Sequence, residues 1–242
     1  MEVVGLKAVT EVLSSPDAVV ERIWLDTTLR SEAADQITEL ALAQSVTVER
    51  VGTKRLDRLA GDDRMHQGAV AQCQPPTVMS VEGFAATRSG REWETNLLVL
   101  DQIHNPANIG MILRTAAGAG IDGVLLPRQG TATMGPIVVK AASGLVFAVP
   151  LIDAETTADA LDELRSEGFV AWGLDAGGTP LFEADVPARV AWVLGNETSG
   201  MGADTMDRLD AVVSLPLSNG VESLNVAATA AVVSYEIVRR RT

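Results

Sequence analysis

Cysteine is nearly absent from this chain: Cys73 is the single copy among 242 residues. That excludes an internal disulfide framework and fits a reducing cytosol. Cys73 follows a strand-like stretch and reads as a small buried hydrophobe. Histidine is almost as scarce, with two copies, His66 and His104. A zinc site built from His and Cys alone is therefore disfavoured, and no metal is expected. Aromatic residues make up only 4% of the chain against 47% apolar residues in all. That composition, rich in Ala, Val and Leu, suits an α/β protein. No apolar run reaches about 18 residues, so no segment is expected to span a membrane. The opening MEVVGLKAVTEVL carries an early acidic residue and lacks the basic region and small-residue cleavage site of a signal peptide. A cytoplasmic protein is the expectation.

Positive charge is also in deficit. The chain has 19 Lys and Arg against 32 Asp and Glu, a formal net charge of −13. This weighs against nucleic acid as a partner, because phosphate binding is largely electrostatic, although a local patch can act alone. Two basic clusters stand out: Arg50, Lys54, Arg55, Arg58 and Arg64, and the terminal Arg239, Arg240 and Arg241. The first is diluted by Glu49, Asp57, Asp62 and Asp63 and is compatible with a solvated helix face. The second suits a helix C-terminus, where cations meet the favourable end of the dipole.

What is present is a regular alternation. Ala8, Val9, Val12 and Leu13 fall at helical spacing, RIWL is strand-like, and a helix is expected from a Ser31 cap to Gln44. SVTVERV, TKRLDRLA and QGAVAQCQ then read as strand, helix and strand, and Pro75-Pro76 stops regular structure. Residues 1–75 form one small α/β unit, and 76–95 a connector with room for one helix. NLLVLD opens a second unit over 96–242, with helices at 108–119, about 133–143 and 156–167. Its strands are expected at 123–126, 146–150, 169–175, 190–194 and 212–217, before a short helix-bearing loop and a final helix are counted in. Apolar strands alternating with helices predict a mostly parallel sheet covered on both faces.

GAGIDG, Gly118–Gly123, matches the dinucleotide pattern G-x-G-x-x-G. That pattern needs a strand before it and a helix after it, so that pyrophosphate meets a helix N-terminus. Here the order is reversed, which disfavours NAD and makes Gly120 a helix C-cap.

Three stretches carry more. HNPANIGMILRTAAGAG places Asn108 at a helix entrance, after a proline turn, and Arg114 six residues further on. VAWVLGNETSGM ends a strand in a Gly-Asn turn with Glu197, Ser199 and Gly200. VVSLPLSNGVESLNVAAT leads from a strand through a polar turn into Ser223, Leu224 and Asn225 at the mouth of the last helix. A helix cap needs one polar side chain, so the second one asks for another role. His104, beside Asn105-Pro106, reads as a structural turn residue.

Together, N-x-G-x-x-x-R-T, L-G-N-E-x-x-G and L-P-L…S-L-N-V, in this order over about residues 96–240, resemble the signature of the SpoU (TrmH-type) RNA 2′-O-ribose methyltransferases of the SPOUT superfamily. GLKAVTEVL and HQGAVAQ look like the small L30e-like substrate-binding domain of bacterial 23S rRNA guanosine-2′-O-methyltransferases. The resemblance implies an L30e-like domain over 1–75 and a trefoil-knotted α/β methyltransferase domain over 96–242. It also implies S-adenosylmethionine as cofactor, RNA as substrate (rRNA first, tRNA as the alternative) and a homodimer. A non-catalytic RNA-binding protein is the reading from another class.

Carried over residue by residue, the resemblance puts Arg114, Asn108, Glu197, Ser223 and Asn225 in the catalytic pocket. Cofactor contacts fall to Leu194, Gly195, Asn196, Gly200, Leu215, Leu217, Ser223, Leu224 and Asn225, in loops 194–200, 215–220 and 223–225. RNA contacts fall to Arg50, Lys54, Arg55, Arg58, Arg64, His66 and Arg114, with His66 also open to a fold-supporting role. The apolar stripe Val226, Ala230, Val233 and Ile237 of the last helix serves either a dimer interface or the core of its own domain.

Overall fold

The computed structural model of the chain describes residues 1–61, 65–88 and 95–241. Arg64 and the connector stretch 89–94 lie outside the described residues. The chain divides into two compact units: Met1–Pro76 together with Met134–Ala148, and Thr77–Thr133 together with the chain from Val149 onward.

The first unit opens with β1 (Glu2–Val4), α1 (Leu6–Ser14), β2 (Val20–Asp26), α2 (Glu32–Ala43), β3 (Thr47–Val51), α3 (Thr53–Leu59) and β4 (Ala69–Cys73). Its four-stranded sheet runs β1-β4-β2-β3. β4 is antiparallel to both neighbours, and β2 and β3 are parallel. The helical spacing read from sequence is what α1 buries: Ala8, Val9, Val12 and Leu13 all face inward. Ser31 caps α2, its hydroxyl accepting the Ala34 N–H. Cys73 is 1% exposed, and burial pushes its thiol up to about 12, so it stays protonated and packs as a small apolar group.

The second unit continues with β5 (Val78–Met79), α4 (Val81–Thr87), β6 (Thr95–Leu100), α5 (Pro106–Ala119) and β7 (Gly123–Leu125). The chain then makes α6 (Pro136–Ala141) and a 3-10 turn at Leu145–Phe147, a segment that belongs to the first unit. Backbone approach explains the attachment: a Cβ on Gly144 would sit 2.5 Å from the Ala8 carbonyl oxygen of α1. The second unit resumes with β8 (Leu151–Ile152), α7 (Thr157–Ser166), β9 (Val170–Pro180), β10 (Arg189–Leu194), α8 (Ala203–Met206), β11 (Ala211–Ser214) and α9 (Val226–Arg241).

Its seven strands lie in the order β11-β9-β10-β6-β7-β8-β5, and every neighbouring pair is parallel. The cause is in the strands themselves. Leu97, Leu98, Val99 and Leu100 of β6 and Val190–Leu194 of β10 are buried on both faces, which a sheet tolerates only when helices cover both sides. Trp192 is fully buried against Trp172, and its Nε1–H donates to Asn96 Oδ1 at 2.8 Å.

Four local expectations change. The strand expected at 146–150 is the 3-10 turn, with β8 beginning at Leu151; a short apolar run does not distinguish a strand from a buried turn. The strand expected to reach 217 stops at Ser214, ahead of Pro216, which has no N–H for the ladder. Residues 77–88, read as connector, form β5 and α4 of the second unit, with Phe84 fully buried and Ser80 capping. The helix expected at about 133–143 is the shorter α6.

Candidate active site

A cavity of about 350 Å³ opens in the second unit between an irregular stretch inside β9 and the loops that follow β10 and β11. Loops beyond the carboxyl ends of parallel strands are the standard ligand site of such sheets. Leu194, Gly195, Asn196, Gly200, Leu215, Leu217, Ser223 and Leu224 all line it, as does Glu197. These residues come from three separated stretches, and the fold brings them to one wall.

The loop after β10 is built around Asn196. Its N–H and C=O exchange hydrogen bonds with Gly200 at 3.0 and 2.9 Å, closing a tight turn. Its side-chain oxygen accepts the Thr198 and Ser199 N–H groups, and its Nδ2 donates to the Gln102 carbonyl at 3.2 Å. Gly195 is required by close approach: a Cβ there would lie 2.6 Å from the Gly200 carbonyl carbon and 2.7 Å from the Met201 nitrogen. Asp101, 4% exposed, anchors the far end, accepting Gly202 N–H at 2.8 Å and the Thr157 hydroxyl at 2.6 Å. The site's scaffold thus starts at the end of β6, which sequence reasoning did not single out.

Glu197, Asn108 and Asn225 form a triangle. Glu197 Oε1 accepts Asn108 Nδ2 at 2.5 Å, Asn225 Nδ2 at 3.1 Å and the Val226 N–H at 3.3 Å. Asn225 Nδ2 also donates to Asn108 Oδ1 at 3.2 Å. A carboxylate can only accept, so both amide nitrogens must turn toward it, which leaves the Asn108 oxygen free for Asn225. Asn225 caps α9 as well: its Oδ1 accepts the Ala227 N–H at 3.0 Å. One residue therefore caps the helix and ties it to the other two stretches, while Ser223 lines the cavity. Asn108 is a correction to its expected place at the helix entrance. Asn105 is the cap, accepting the Ala107 N–H, and Asn108 is 4% exposed inside the first turn of α5.

Arg114 projects from α5 as an exposed residue and is not part of the cavity wall. Six residues at 1.5 Å each put it about 9 Å along the helix from Asn108, on another face. His104 is exposed in the turn before α5. Gly120 ends α5 in the left-handed region at φ 64°, with β7 after it, as the reversed order of GAGIDG requires. The stripe of α9 goes to its own domain: Val226, Ala230, Val233 and Ile237 are each at most 3% exposed in the single chain. That removes them as a dimer surface. The terminal arginines are ion-paired rather than merely dipole-complementing, with Arg239 and Arg240 on buried Glu236 and Arg241 on Asp122.

In the first unit Arg50, Lys54, Arg55 and Arg58 are exposed on β3 and α3. Arg50 donates to the Asp26 and Leu29 carbonyls, and Arg55 pairs with Glu49 at 2.9 Å. Of the two roles open to His66, its burial favours the fold-supporting one. The residue is 6% exposed, its Nδ1 accepting the Gly68 N–H at 2.9 Å and its Nε2 facing Asp57 at 3.3 Å. Among the described residues no group of three His, Cys, Asp or Glu side chains is arranged to hold a metal ion, and no helix is long and apolar enough to cross a membrane.

Sequence reasoning missed Leu174, Asp175 and Ala176, which also line the cavity, and Glu222, Val226 and Thr229. β9 pairs with β11 through Gly173 and again from Thr179, so residues 174–178 leave that ladder, and Leu174, Asp175 and Ala176 of the excursion face the site. The signal was an acidic residue followed by two glycines after an apolar strand, in WGLDAGG.

Comparison with known proteins agrees with this architecture. The SpoU rRNA methylase family model matches residues 95–235, and the model for RNA 2′-O ribose methyltransferase substrate binding matches residues 3–79. A Staphylococcus haemolyticus protein named as a TrmH-family tRNA/rRNA methyltransferase is 31% identical, covering 99% of this chain and 95% of its own. The structure of a TrmH-family RNA methyltransferase from Porphyromonas gingivalis superimposes with a TM-score of 0.77 at 26% identity, over 100% of this chain and 90% of that one. The fold is also that of the SpoU methyltransferase AviRb from Streptomyces viridochromogenes, solved with AdoMet, at a TM-score of 0.80, 24% identity, and 100% and 90% coverage. With its cavity at the ends of parallel strands and its two matched regions spanning most of its length, the chain belongs to the SpoU family of RNA methyltransferases.

Proposed function

We propose that the protein transfers a methyl group from S-adenosylmethionine to a ribose 2′-oxygen of structured RNA, with a guanosine of 23S rRNA as the favoured target. The observation that carries this reading is the Glu197–Asn108–Asn225 triangle, which locks three sequence-distant loops around one cavity. Residues 1–75, joined in their unit by Met134–Ala148, serve as the substrate-binding domain, and the rest of 96–242 as the methyltransferase domain.

The cavity suits the cofactor. About 350 Å³ lies in the range of small-molecule sites. Leu194, Leu215, Leu217 and Leu224 offer an apolar wall for a flat base, and the backbone of Gly195 and Leu224 offers polar groups for its edge and ribose. When bound, S-adenosylmethionine supplies a methyl group already activated on a cationic sulfur. The protein's task is then alignment and help with the hydroxyl proton. Well-held geometry alone supplies about 7–11 kcal/mol of barrier reduction.

Arg114 is exposed on α5, and its guanidinium stays protonated at any working pH, so it is no general base. In this reading it binds the phosphate beside the target ribose and stabilises the developing alkoxide, and the proton leaves to phosphate or water. Asn108 and Glu197 hold the donor loop in register, and Ser223 and Asn225 shape the pocket floor. In this reading the chain from β11 through the cavity loop to α9, which packs against α5, takes part in the family's trefoil knot. Exposed Met111 on α5 and Tyr235 on α9, 41% and 57% accessible, support a homodimer through that face. Cytoplasmic residence follows from the RNA substrate.

Transfer RNA is the second target class, since the Staphylococcus haemolyticus relative is named for both tRNA and rRNA. Nucleoside mass spectrometry on RNA from cells lacking the gene tests the proposal. One 2′-O-methylnucleoside is lost from the rRNA fraction and is restored by the wild type but not by Arg114→Ala. Loss from the tRNA fraction moves the target, and no loss from either overturns the activity. Retained single-turnover methylation by Arg114→Ala overturns the role given to that residue.

A further inference from the structure

The cavity wall is charged with one sign. Asp175, Glu197 and Glu222 line it, and among the described residues no Lys, Arg or His does. The three carboxylates are not equivalent. Glu197 is committed to three donors from Asn108, Asn225 and Val226. Asp175 is steered by one bond, its Oδ1 accepting the Gly177 N–H at 3.2 Å, on the excursion that leaves the β9 ladder. Glu222 is exposed, and among the described residues no donor is paired with its carboxylate. Neither Asp175 nor Glu222 is needed to hold the turn around Asn196 or the Glu197 triangle.

A one-signed wall discriminates ligands by charge. S-adenosylmethionine bears a sulfonium, an ammonium and a carboxylate, for a net charge of +1. Its product S-adenosylhomocysteine has a neutral thioether in place of the sulfonium and is net zero. The apolar groups and the hydrogen-bonding edge of the two molecules are the same. A set of leucines and backbone groups therefore holds both alike, and only the field of the wall separates them.

We infer that Asp175 and Glu222 are specificity-determining residues that make the site prefer the cationic methyl donor over the spent product, so that loss of charge on methyl transfer loosens the product. This rests on S-adenosylmethionine being the ligand of the cavity. Because the wall opens to solvent, each carboxylate is worth only about two- to fivefold in donor affinity. The preference weakens with salt, as a field acting through water does. The consequence for turnover is relief from product inhibition.

Calorimetric titration of the full-length protein with three probes tests this: S-adenosylmethionine, S-adenosylhomocysteine and sinefungin, which carries an ammonium where the donor has its sulfonium. The double variant Asp175→Asn, Glu222→Gln is expected to bind S-adenosylmethionine and sinefungin about five- to tenfold more weakly and S-adenosylhomocysteine within about twofold of wild type. In the wild type, raising salt from about 0.05 to 0.5 M is expected to weaken the two cationic probes more than the neutral one, a readout that needs no variant. Parallel loss of all three probes, or no change in any, overturns the inference and leaves the cofactor site standing. Failure of the wild type to bind all three overturns the cofactor reading itself, and this inference with it.

Discussion

At the scale of single residues, the site depends on hydrogen bonds to one buried-edge carboxylate. Asn225→Ala removes two donated bonds and the cap of α9 together. It is expected to cost S-adenosylmethionine about tenfold or more in affinity by calorimetry, because a hydrogen bond to a charged group contributes about 1.5–3 kcal/mol. Asn108→Ala leaves Glu197 short of its closest donor inside a packed helix. Its expected cost is about 2 kcal/mol of stability, read from the urea midpoint at unchanged slope. A different carboxylate contributes to the pH dependence of the first unit's stability. Asp26 is held below its ordinary 3.8, at about 2, first by the Thr28 hydroxyl, then by the Thr53 hydroxyl and the Thr28 N–H. A depressed carboxylate stabilises the fold fully above its unfolded value and loses that contribution as pH falls through its folded value. Wild type and Asp26→Asn are therefore expected to differ in urea midpoint at pH 5 and to converge between about pH 4 and 2.

Elements matter through what terminates them. The loop after β10 closes so tightly that Gly195→Ala drives a methyl group into backbone. Donor binding is expected to be lost while the far-ultraviolet circular dichroism stays that of the wild type, since the clash lies in a loop outside the sheet core. The last helix is held at its other end by Glu236, 6% exposed, which accepts from Arg239 and Arg240; these two hold its carboxyl below the usual range. Arg240 also donates to the Ala184 and Leu181 carbonyls, and Arg241 to the Gly120 carbonyl and Asp122, so the final turn of α9 is stitched to two segments of its unit. Removing a buried partner strands charge, and Glu236→Ala is expected to lower stability by roughly 2–3 kcal/mol in denaturant unfolding, with exposed Arg239 contributing little of it.

For the whole molecule the governing quantity is charge. A net charge of −13 repels RNA at long range, so affinity must come from a small patch rather than from a general field. Arg50 and Arg55 already spend donors on carbonyls and on Glu49, which leaves Lys54 and Arg58 as the side chains with most freedom to meet phosphate. RNA affinity is expected to fall with salt at a slope of only about −2 to −3 in log units, as for three or four phosphates. Lys54→Ala and Arg58→Ala are each expected to reduce that slope by about 0.7. A slope unchanged by both would place the RNA path elsewhere.

Much of this was written in local pattern. The periods of α1 and α2, the caps at Ser31 and Gly120 and the apolar β6 and β10 depend on neighbours a few residues away, so spacing alone determined them. The three motif stretches showed locally only as strand ends and helix entrances, and it was the resemblance to the SpoU methyltransferases that gave them roles. Their meeting was not. Asn108, Glu197 and Asn225 stand 89 and 28 positions apart, and only the tertiary structure turns their amides onto one carboxylate. The burial of His66, the inward face of α9, the return of 134–148 to the first unit and the excursion that aims Asp175 at the cavity were decided in the same way. Each depends on packing between segments far apart in the chain, which hydrophobic periodicity does not encode.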